Sequence, residues 1–122
     1  MLRARIAIAL GRFVGRLSRL VGRGGPAVPW LVAARIHPRL LERLVDGLPV
    51  VVVTGTNGKT TTTRMLVTAL EHAGWSVATN PSGSNLARGV LTSLMSHARR
   101  GVVEADVAVL EVDEAAVRSV GV

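Results

Sequence analysis

Residues 49–63 read PVVVVTGTNGKTTTT, an apolar run followed by a turn with two glycines and a row of threonines. Val50–Val53 are β-branched and apolar at every position, which predicts a short strand buried in a parallel sheet. The turn contains Gly55 and Gly58, which allow backbone N–H groups to converge on an anion. A helical pattern follows at once, so the positive end of that helix points at the same place. The stretch therefore predicts a phosphate-binding loop in an α/β protein.

The two residues after the second glycine fit a nucleotide ligand. Lys59 would reach the β- and γ-phosphates, and the Thr60 hydroxyl would bind Mg²⁺. The general phosphate-loop pattern has a further glycine where Val53 stands, so the chain has only the shorter form TGTNGKT. The alternative for Lys59 is a solvated lysine at a helix start, but a cation there opposes the helix dipole unless an anion is bound. We therefore predict nucleotide binding rather than a purely structural turn.

A second candidate metal ligand lies in the apolar run at residues 107–112. Glu111 is near the carboxyl end of this predicted strand, where open α/β sheets bind ligands. A buried carboxylate is unfavourable unless it is paired or bound to a metal, so we predict that Glu111 holds Mg²⁺ together with Thr60. The alternative is that Glu111, Asp113 and Glu114 cap a helix over residues 115–120. For Asp113 we prefer this capping role.

The remaining predicted elements complete part of an α/β sheet. They are a helix with an apolar face of Met65, Leu66, Ala69, Leu70 and Ala73 that ends at Gly74, a strand over residues 75–79, a polar loop over residues 80–85, and a helix over residues 86–97 that is ended by residues 99–101.

Positive charge is concentrated at the start of the chain. The net charge is +7, but residues 1–41 carry eight arginines and no acid, whereas the rest carries seven basic and eight acidic residues. Because the excess charge belongs to one segment beside a nearly neutral domain, we expect no nucleic acid as a partner. The chain has no cysteine, which excludes disulfides and thiolate metal sites within it.

Residues 1–21 predict an amphipathic helix. Its apolar residues recur at intervals of three and four, and arginines collect on the other side. The apolar residues are Leu2, Ile6, Leu10, Phe13, Leu17 and Leu20. Arg12 and Arg16 interrupt the run too early for a membrane span. Two alternatives remain: the stripe packs on the rest of the protein, which we prefer, or the helix lies on an anionic membrane surface with Trp30 as an anchor.

The charge pattern divides the chain into a basic amphipathic helical segment (residues 1–46) and a nearly neutral domain (residues 47–122), and the resemblance that follows implies that the second is the first part of an ATP-binding domain. Three phrases, TGTNGKTTTT, TNPSGSNL and LEVDEA, resemble the central ATP-binding domain of the Mur ligases. The resemblance implies a P-loop-type parallel sheet flanked by helices, and enzymes that join amines to carboxylates of peptidoglycan precursors through an acyl-phosphate. The phrases LSRLVGRGG, HPRLL and ADVAVLEVDEA most resemble the MurT branch, the synthetase subunits of lipid II isoglutaminyl synthase. Because the phosphate loop starts early in the chain, we expect no UDP-binding first domain of the kind that most Mur ligases carry.

The resemblance assigns roles to individual residues. It implies that ATP is bound by Gly55, Thr56, Asn57, Gly58, Lys59, Thr60 and Thr61, with Lys59 catalytic. It implies that Thr60 and Glu111 bind Mg²⁺, and that Asn80, Ser84 and Asn85 lie in a loop near the metal and the substrate. Pro81 and Ser84 depart from the pattern expected of the branch.

The implied reaction is amidation of the α-carboxylate of D-glutamate in the lipid II stem peptide, giving D-isoglutamine. The resemblance implies that a GatD-like glutaminase subunit supplies ammonia within a heterodimer, in the bacterial cytoplasm at the inner face of the membrane. The family continues with more of the sheet, a cysteine-ligated zinc insertion and a C-terminal domain, so we expect these 122 residues alone to be inactive. The alternatives are a MurE-like or cyanophycin-synthetase-like ligase that uses an amino acid, and a non-catalytic membrane-associated module with a vestigial loop.

Overall fold

The computed structural model of the chain describes residues 2–20, 32–33, 35–37, 39–80, 84 and 86–117. The main helices are α1 (Leu2–Leu20), α2 (Leu40–Leu44), α3 (Lys59–His72) and α4 (Ala87–His97). The strands are β1 (Val50–Val53), β2 (Val77–Thr79), β3 (Ala98–Arg99), β4 (Val102–Val103) and β5 (Val107–Glu111), and a 3₁₀ turn covers Glu114–Ala116.

Three strands form a parallel sheet in the order β1, β5, β2. All five positions of β5 are buried, because a strand lies on each side of it. Val53 pairs with Glu111 and Thr79 pairs with Val109, so the three strands end at the same edge of the sheet. The predicted α/β architecture, a parallel sheet flanked by helices, is confirmed.

β1 has the predicted bounds but not the predicted burial. Val51 is 38% exposed, and the other valines are half-buried. The reason is that β1 is an edge strand of the sheet among the described residues, paired on one side only with β5. Four apolar residues in a row indicated a buried strand, but the run does not show how many strands lie beside it.

One hydrophobic cluster joins α4, α2 and the sheet. From α4, Val90 and Leu94 are completely buried, as their helical spacing predicted. Leu40 and Leu44 of α2 belong to the same cluster. The cluster therefore takes residues from both sides of the predicted boundary between residues 46 and 47.

The face of α3 differs from the predicted one. Thr63 is buried and Leu66, Val67 and Leu70 are half-buried, whereas Met65, Ala69 and Ala73 are exposed. The packed face is thus shifted around the helix toward Thr63, a residue that an apolar pattern does not count. Gly74, with φ 86°, follows the end of α3 as predicted.

α1 is helical as predicted, but the prediction of which of its faces packs on the protein was wrong. The buried residues are the small ones, Ala7, Gly11 and Gly15, together with Ile8. The large apolar residues that we expected to pack inward are exposed: Leu2, Ile6, Leu10, Phe13 and Leu17. Small side chains allow α1 to approach the protein closely, so the larger side chains lie on the opposite side. Trp30 lies outside the described residues.

A short hairpin follows α4 and was not predicted. β3 and β4 pair antiparallel, and the two residues between them, Arg100 and Gly101, have φ of 52° and 99°. Positive φ at both central residues is the geometry that suits a two-residue hairpin. The pattern of residues 99–101 indicated only a helix end. Within the described ranges, none of the helices combines the length and apolar character that crossing a bilayer requires.

Candidate active site

The turn between β1 and α3, residues 54–58, contains two glycines with backbone angles that other residues rarely adopt. Gly55 has φ 141°, and Gly58 has φ 78° as the residue that precedes the helix. A Cβ atom at Gly58 would meet nothing within 4 Å, so the backbone angle rather than space requires glycine there. The turn thus lies directly before the N-terminus of α3 and has two positive-φ glycines, and anion binding there stays a prediction.

Lys59, the first residue of α3, folds back over this turn. Its Nζ atom donates a hydrogen bond to the Gly55 carbonyl oxygen at 2.7 Å and lies 3.3 Å from Asp113 Oδ1. The ammonium group is therefore fixed between the turn and the residues that follow β5. This is the position from which it could contact a phosphate bound at the turn.

The two predicted metal ligands are in direct contact. Thr60 Oγ1 donates a hydrogen bond to Glu111 Oε2 at 2.9 Å, although 51 positions separate the residues in sequence. Glu111 is only 4% exposed and is the last residue of β5. A carboxylate so deeply buried has an unfavourable desolvation energy that a cation would offset.

The donor set fits Mg²⁺ better than a metal held wholly by protein. Among the described residues, no cluster of three or more His, Asp or Glu side chains could hold a metal ion. Mg²⁺ commonly keeps several waters and takes one or two protein oxygens plus phosphate oxygens. Thr60 and Glu111 together provide that number of oxygens, one a hydroxyl and one a carboxylate.

Two acidic residues after β5 also belong to this site, and the sequence analysis did not assign them to it. Asp113 pairs with Lys59, and Glu114 Oε1 accepts a hydrogen bond from Thr56 Oγ1 at 3.2 Å. Asp113 takes the predicted capping position directly before the 3₁₀ turn, but its side chain makes no capping hydrogen bond to that turn and pairs with Lys59. The signal that could have identified both residues is their place directly after a strand that ends beside the glycine turn.

Asn80 follows β2 and is 5% exposed. Its Oδ1 accepts from the Glu111 backbone N–H at 2.8 Å, and its Nδ2 donates to the Glu111 carbonyl at 2.8 Å. Nδ2 also donates to the Ser84 carbonyl at 2.9 Å. The amide therefore continues the pairing of β5 beyond the end of β2 and fixes the backbone that carries the Glu111 carboxylate.

The Ser84 backbone lies close against α4. A Cβ atom added at Gly89 would lie 2.7 Å from the Ser84 carbonyl oxygen, so a side chain there would displace Ser84. Sequence reasoning did not single out Gly89. Asn85, the third predicted substrate residue, lies outside the described residues, and the substrate roles of Asn80 and Ser84 stay predictions.

The other predicted ATP-binding residues are accessible at the surface of the site. Thr56, Asn57, Gly58 and Thr61 are exposed, and Gly55 is half-buried. The structure thus brings the predicted nucleotide residues and both predicted metal ligands to one edge of the sheet.

A family profile and individual relatives of known function all match this chain to one protein family. A profile of the Mur ligase middle domain matches residues 53–121, more than half of the chain. The chain is 41% identical over 110 residues to the MurT subunit of lipid II isoglutaminyl synthase (glutamine-hydrolyzing) from Streptococcus pneumoniae, which covers 87% of the chain and 24% of that protein. The same subunit from Staphylococcus aureus strain COL is 29% identical over 112 residues, covering 91% of the chain and 25% of that protein.

A second type of ligase is similar over a shorter stretch. The UDP-N-acetylmuramate–L-alanine ligase of Mycobacterium avium is 49% identical over 53 residues, covering 38% of the chain and 11% of that protein.

The chain spans about a quarter of the length of the MurT relatives that it matches. From the matched profile and the 41% identity to a MurT subunit, the chain belongs to the Mur ligase family.

Proposed function

We propose that this chain forms the ATP- and Mg²⁺-binding part of a ligase that amidates the α-carboxylate of D-glutamate in the lipid II stem peptide. The observation that carries the proposal is the hydrogen bond between Thr60 and the buried Glu111, beside Lys59 at the start of α3. A hydroxyl, a carboxylate and a lysine at a helix N-terminus are together what a magnesium–triphosphate requires. The residue roles are those expected from the sequence: Gly55 to Thr61 for ATP, and Thr60 and Glu111 for Mg²⁺.

Lys59 would change partner when the nucleotide binds. It is paired with Asp113, whose side chain is 36% exposed, so a phosphate group can replace that carboxylate from the solvent side. Lys59 would then neutralise the charge that develops on the phosphoryl group during transfer. ATP supplies that group, which converts a carboxylate oxygen into a good leaving group for attack by an amine. Thr60 and Glu111 would hold the metal that orients the phosphates.

The proposed partner is a glutaminase subunit in a heterodimer with this protein. Support comes from the relatives, whose names describe a glutamine-hydrolysing lipid II isoglutaminyl synthase. We propose ammonia as the nucleophile, lipid II as the acceptor, and the cytoplasm at the inner face of the membrane as the location. Residues 1–46 form the basic segment and residues 47–122 the first part of the ATP-binding domain in this proposal. The loop that begins at Asn80 and includes Ser84 and Asn85 is proposed to lie on the acceptor side, although the Asn80 amide itself is bonded to the Ser84 and Glu111 backbone.

A second candidate is a ligase that joins an amino acid to the acceptor. The observation that favours it is the 49% identity to an L-alanine ligase over 53 residues. That similarity covers a minor part of the chain, whereas the MurT similarity covers 87% of it. We therefore prefer amidation.

Nucleotide binding tests the proposal at Lys59. Isothermal titration of the complete protein with an ATP analogue and Mg²⁺ should give binding that Lys59→Ala weakens on the order of thirtyfold, since a charge-assisted contact is lost. Arg64→Ala is the matched control, because Arg64 is an exposed cation on the same helix. Absence of binding between the wild-type protein and the ATP analogue would contradict the proposal.

The two candidate reactions differ in the nucleophile, which is ammonia in the first and an amino acid in the second. The complete protein, mixed with its glutaminase partner, lipid II, ATP and glutamine, should give the amidated lipid, detected by mass spectrometry. Ammonium salt should replace both glutamine and the partner. Product that forms only when a free amino acid is added would support the second candidate instead.

A further inference from the structure

One face of α1 fixes this helix to the rest of the protein. Ala7 and Ile8 are part of the main hydrophobic cluster. The Arg12 guanidinium donates hydrogen bonds to the carbonyl oxygens of Met95, Ser96 and Ala98 at the C-terminal end of α4. A cation is favourable at that end of a helix, where carbonyl groups lack helical partners. The orientation of α1 about its own axis is therefore set by specific contacts.

The opposite face carries what we call the outer stripe. Its members share exposure of 42 to 70% and large apolar side chains. They are Leu2, Ile6, Leu10, Phe13 and Leu17. At 100° per residue these five positions lie within an arc of about 80°, centred on the side away from the buried glycines. They form a straight ridge of about 22 Å along the helix.

Such a ridge differs from ordinary surface residues. Single exposed apolar side chains are normal, but a contiguous row of five marks an interaction surface. The other large exposed apolar residues are scattered over different elements: Val51, Met65, Trp75, Leu86 and Val102. Among the described elements, α1 is thus the one that exposes several of these large apolar residues along a single face.

The charge beside the outer stripe indicates its partner. Arg5 and Arg16 are exposed on one flank, and α1 contains no acidic residue. A membrane with anionic lipids complements this surface, because apolar side chains enter the headgroup boundary while arginines meet phosphate groups. A single convex helix also suits a fluid surface, which needs no preformed groove.

We infer that the outer stripe docks the protein on an anionic membrane, with α1 lying in the plane of the headgroups. The inference goes beyond the proposed reaction and does not depend on it. Docking requires only the outer stripe, which faces the solvent because the buried residues and Arg12 hold the other face of α1 against the protein.

Vesicle flotation of the complete protein tests the inference. Wild-type protein should float with vesicles of equal phosphatidylglycerol and phosphatidylcholine, and bind at least about tenfold less to phosphatidylcholine alone. Leu10→Ser combined with Phe13→Ser should weaken binding to the anionic vesicles about tenfold or more, because apolar area no longer enters the lipid. The matched control combines Met65→Ser with Trp75→Ser, which removes two residues of similar exposure elsewhere and should leave flotation unchanged.

A second variant keeps the test decisive if the serine substitutions impair folding. Arg5→Gln combined with Arg16→Gln retains the stripe and should reduce binding to the anionic vesicles about tenfold or more. Wild-type protein that stays unbound, or stripe and control variants that float equally, would overturn the inference. So would a stripe variant that splits a homo-oligomer in the absence of vesicles, since the occupant would then be a second copy.

Discussion

The Asn80 amide shows how one side chain can extend a sheet. β2 ends at Thr79, yet β5 continues to Glu111, whose backbone N–H and carbonyl would have no strand partner on that side. The Asn80 amide has one donor group and one acceptor oxygen, so it pairs with both. Asn80 therefore fixes the position of the Glu111 carboxylate through the Glu111 backbone, because these hydrogen bonds go to the backbone and not to the carboxylate.

Replacing Asn80 by alanine should lower the free energy of unfolding by about 2–4 kcal/mol, because three hydrogen bonds are lost and buried backbone groups are left unpaired. Urea denaturation monitored by circular dichroism gives this value. Thr79→Val is the matched control on the adjacent residue: its buried hydroxyl has no hydrogen-bond partner within the described part of the chain, so its loss should change stability by less than about 1 kcal/mol. Equal stability of the two variants would show that the amide is not needed.

At the residue scale, the contact between Glu111 and Thr60 could be predicted, whereas the role of Asn80 in fixing the Glu111 backbone could not. A carboxylate within an apolar run is unusual enough to require a compensating partner, and a threonine after G-K has a known chemical role. Asn80 stands in a polar loop of similar residues, where the sequence does not show which amide turns inward. For Asp113, the sequence predicted only a capping role, and the contact with Lys59 was missed because it depends on how the end of β5 lies beside the start of α3.

At the scale of elements, α1 is held mainly by small residues and one arginine. Periodicity correctly predicted a helix with an apolar stripe. It could not predict which side packs, because Gly11 and Gly15 contribute little to an apolar pattern although they allow the closest approach. The β3–β4 hairpin was missed for a related reason: two-residue strands are too short to show an alternating pattern.

Arg12→Ala should loosen α1 from α4. The free energy needed to separate α1 locally from α4 should fall by about 2–3 kcal/mol, because several carbonyl groups lose their donor. Hydrogen–deuterium exchange followed by mass spectrometry should show faster exchange in peptides from α1. Arg16→Ala, which removes an exposed arginine from the same helix, should leave exchange nearly unchanged. If both variants exchange alike, Arg12 does not fix the helix.

At the scale of the whole molecule, the site joins parts of the chain that are distant in sequence. The register of β1 with β5 brings the glycine turn beside Glu111, and α3 adds Lys59 and Thr60. This arrangement was predictable because parallel strands end at a common edge, where ligands bind. The exposure of β1 was not, because it depends on the number of strands beside it.

The most direct measurement is a crystal structure of the complete protein with Mg²⁺ and a non-hydrolysable ATP analogue. We predict the triphosphate against residues 54–58, with Lys59 moved from Asp113 to a phosphate oxygen. We predict Mg²⁺ at about 2.0–2.2 Å from Thr60 Oγ1 and from a Glu111 carboxylate oxygen. A triphosphate bound elsewhere, or a metal that Glu111 does not contact, would contradict the account.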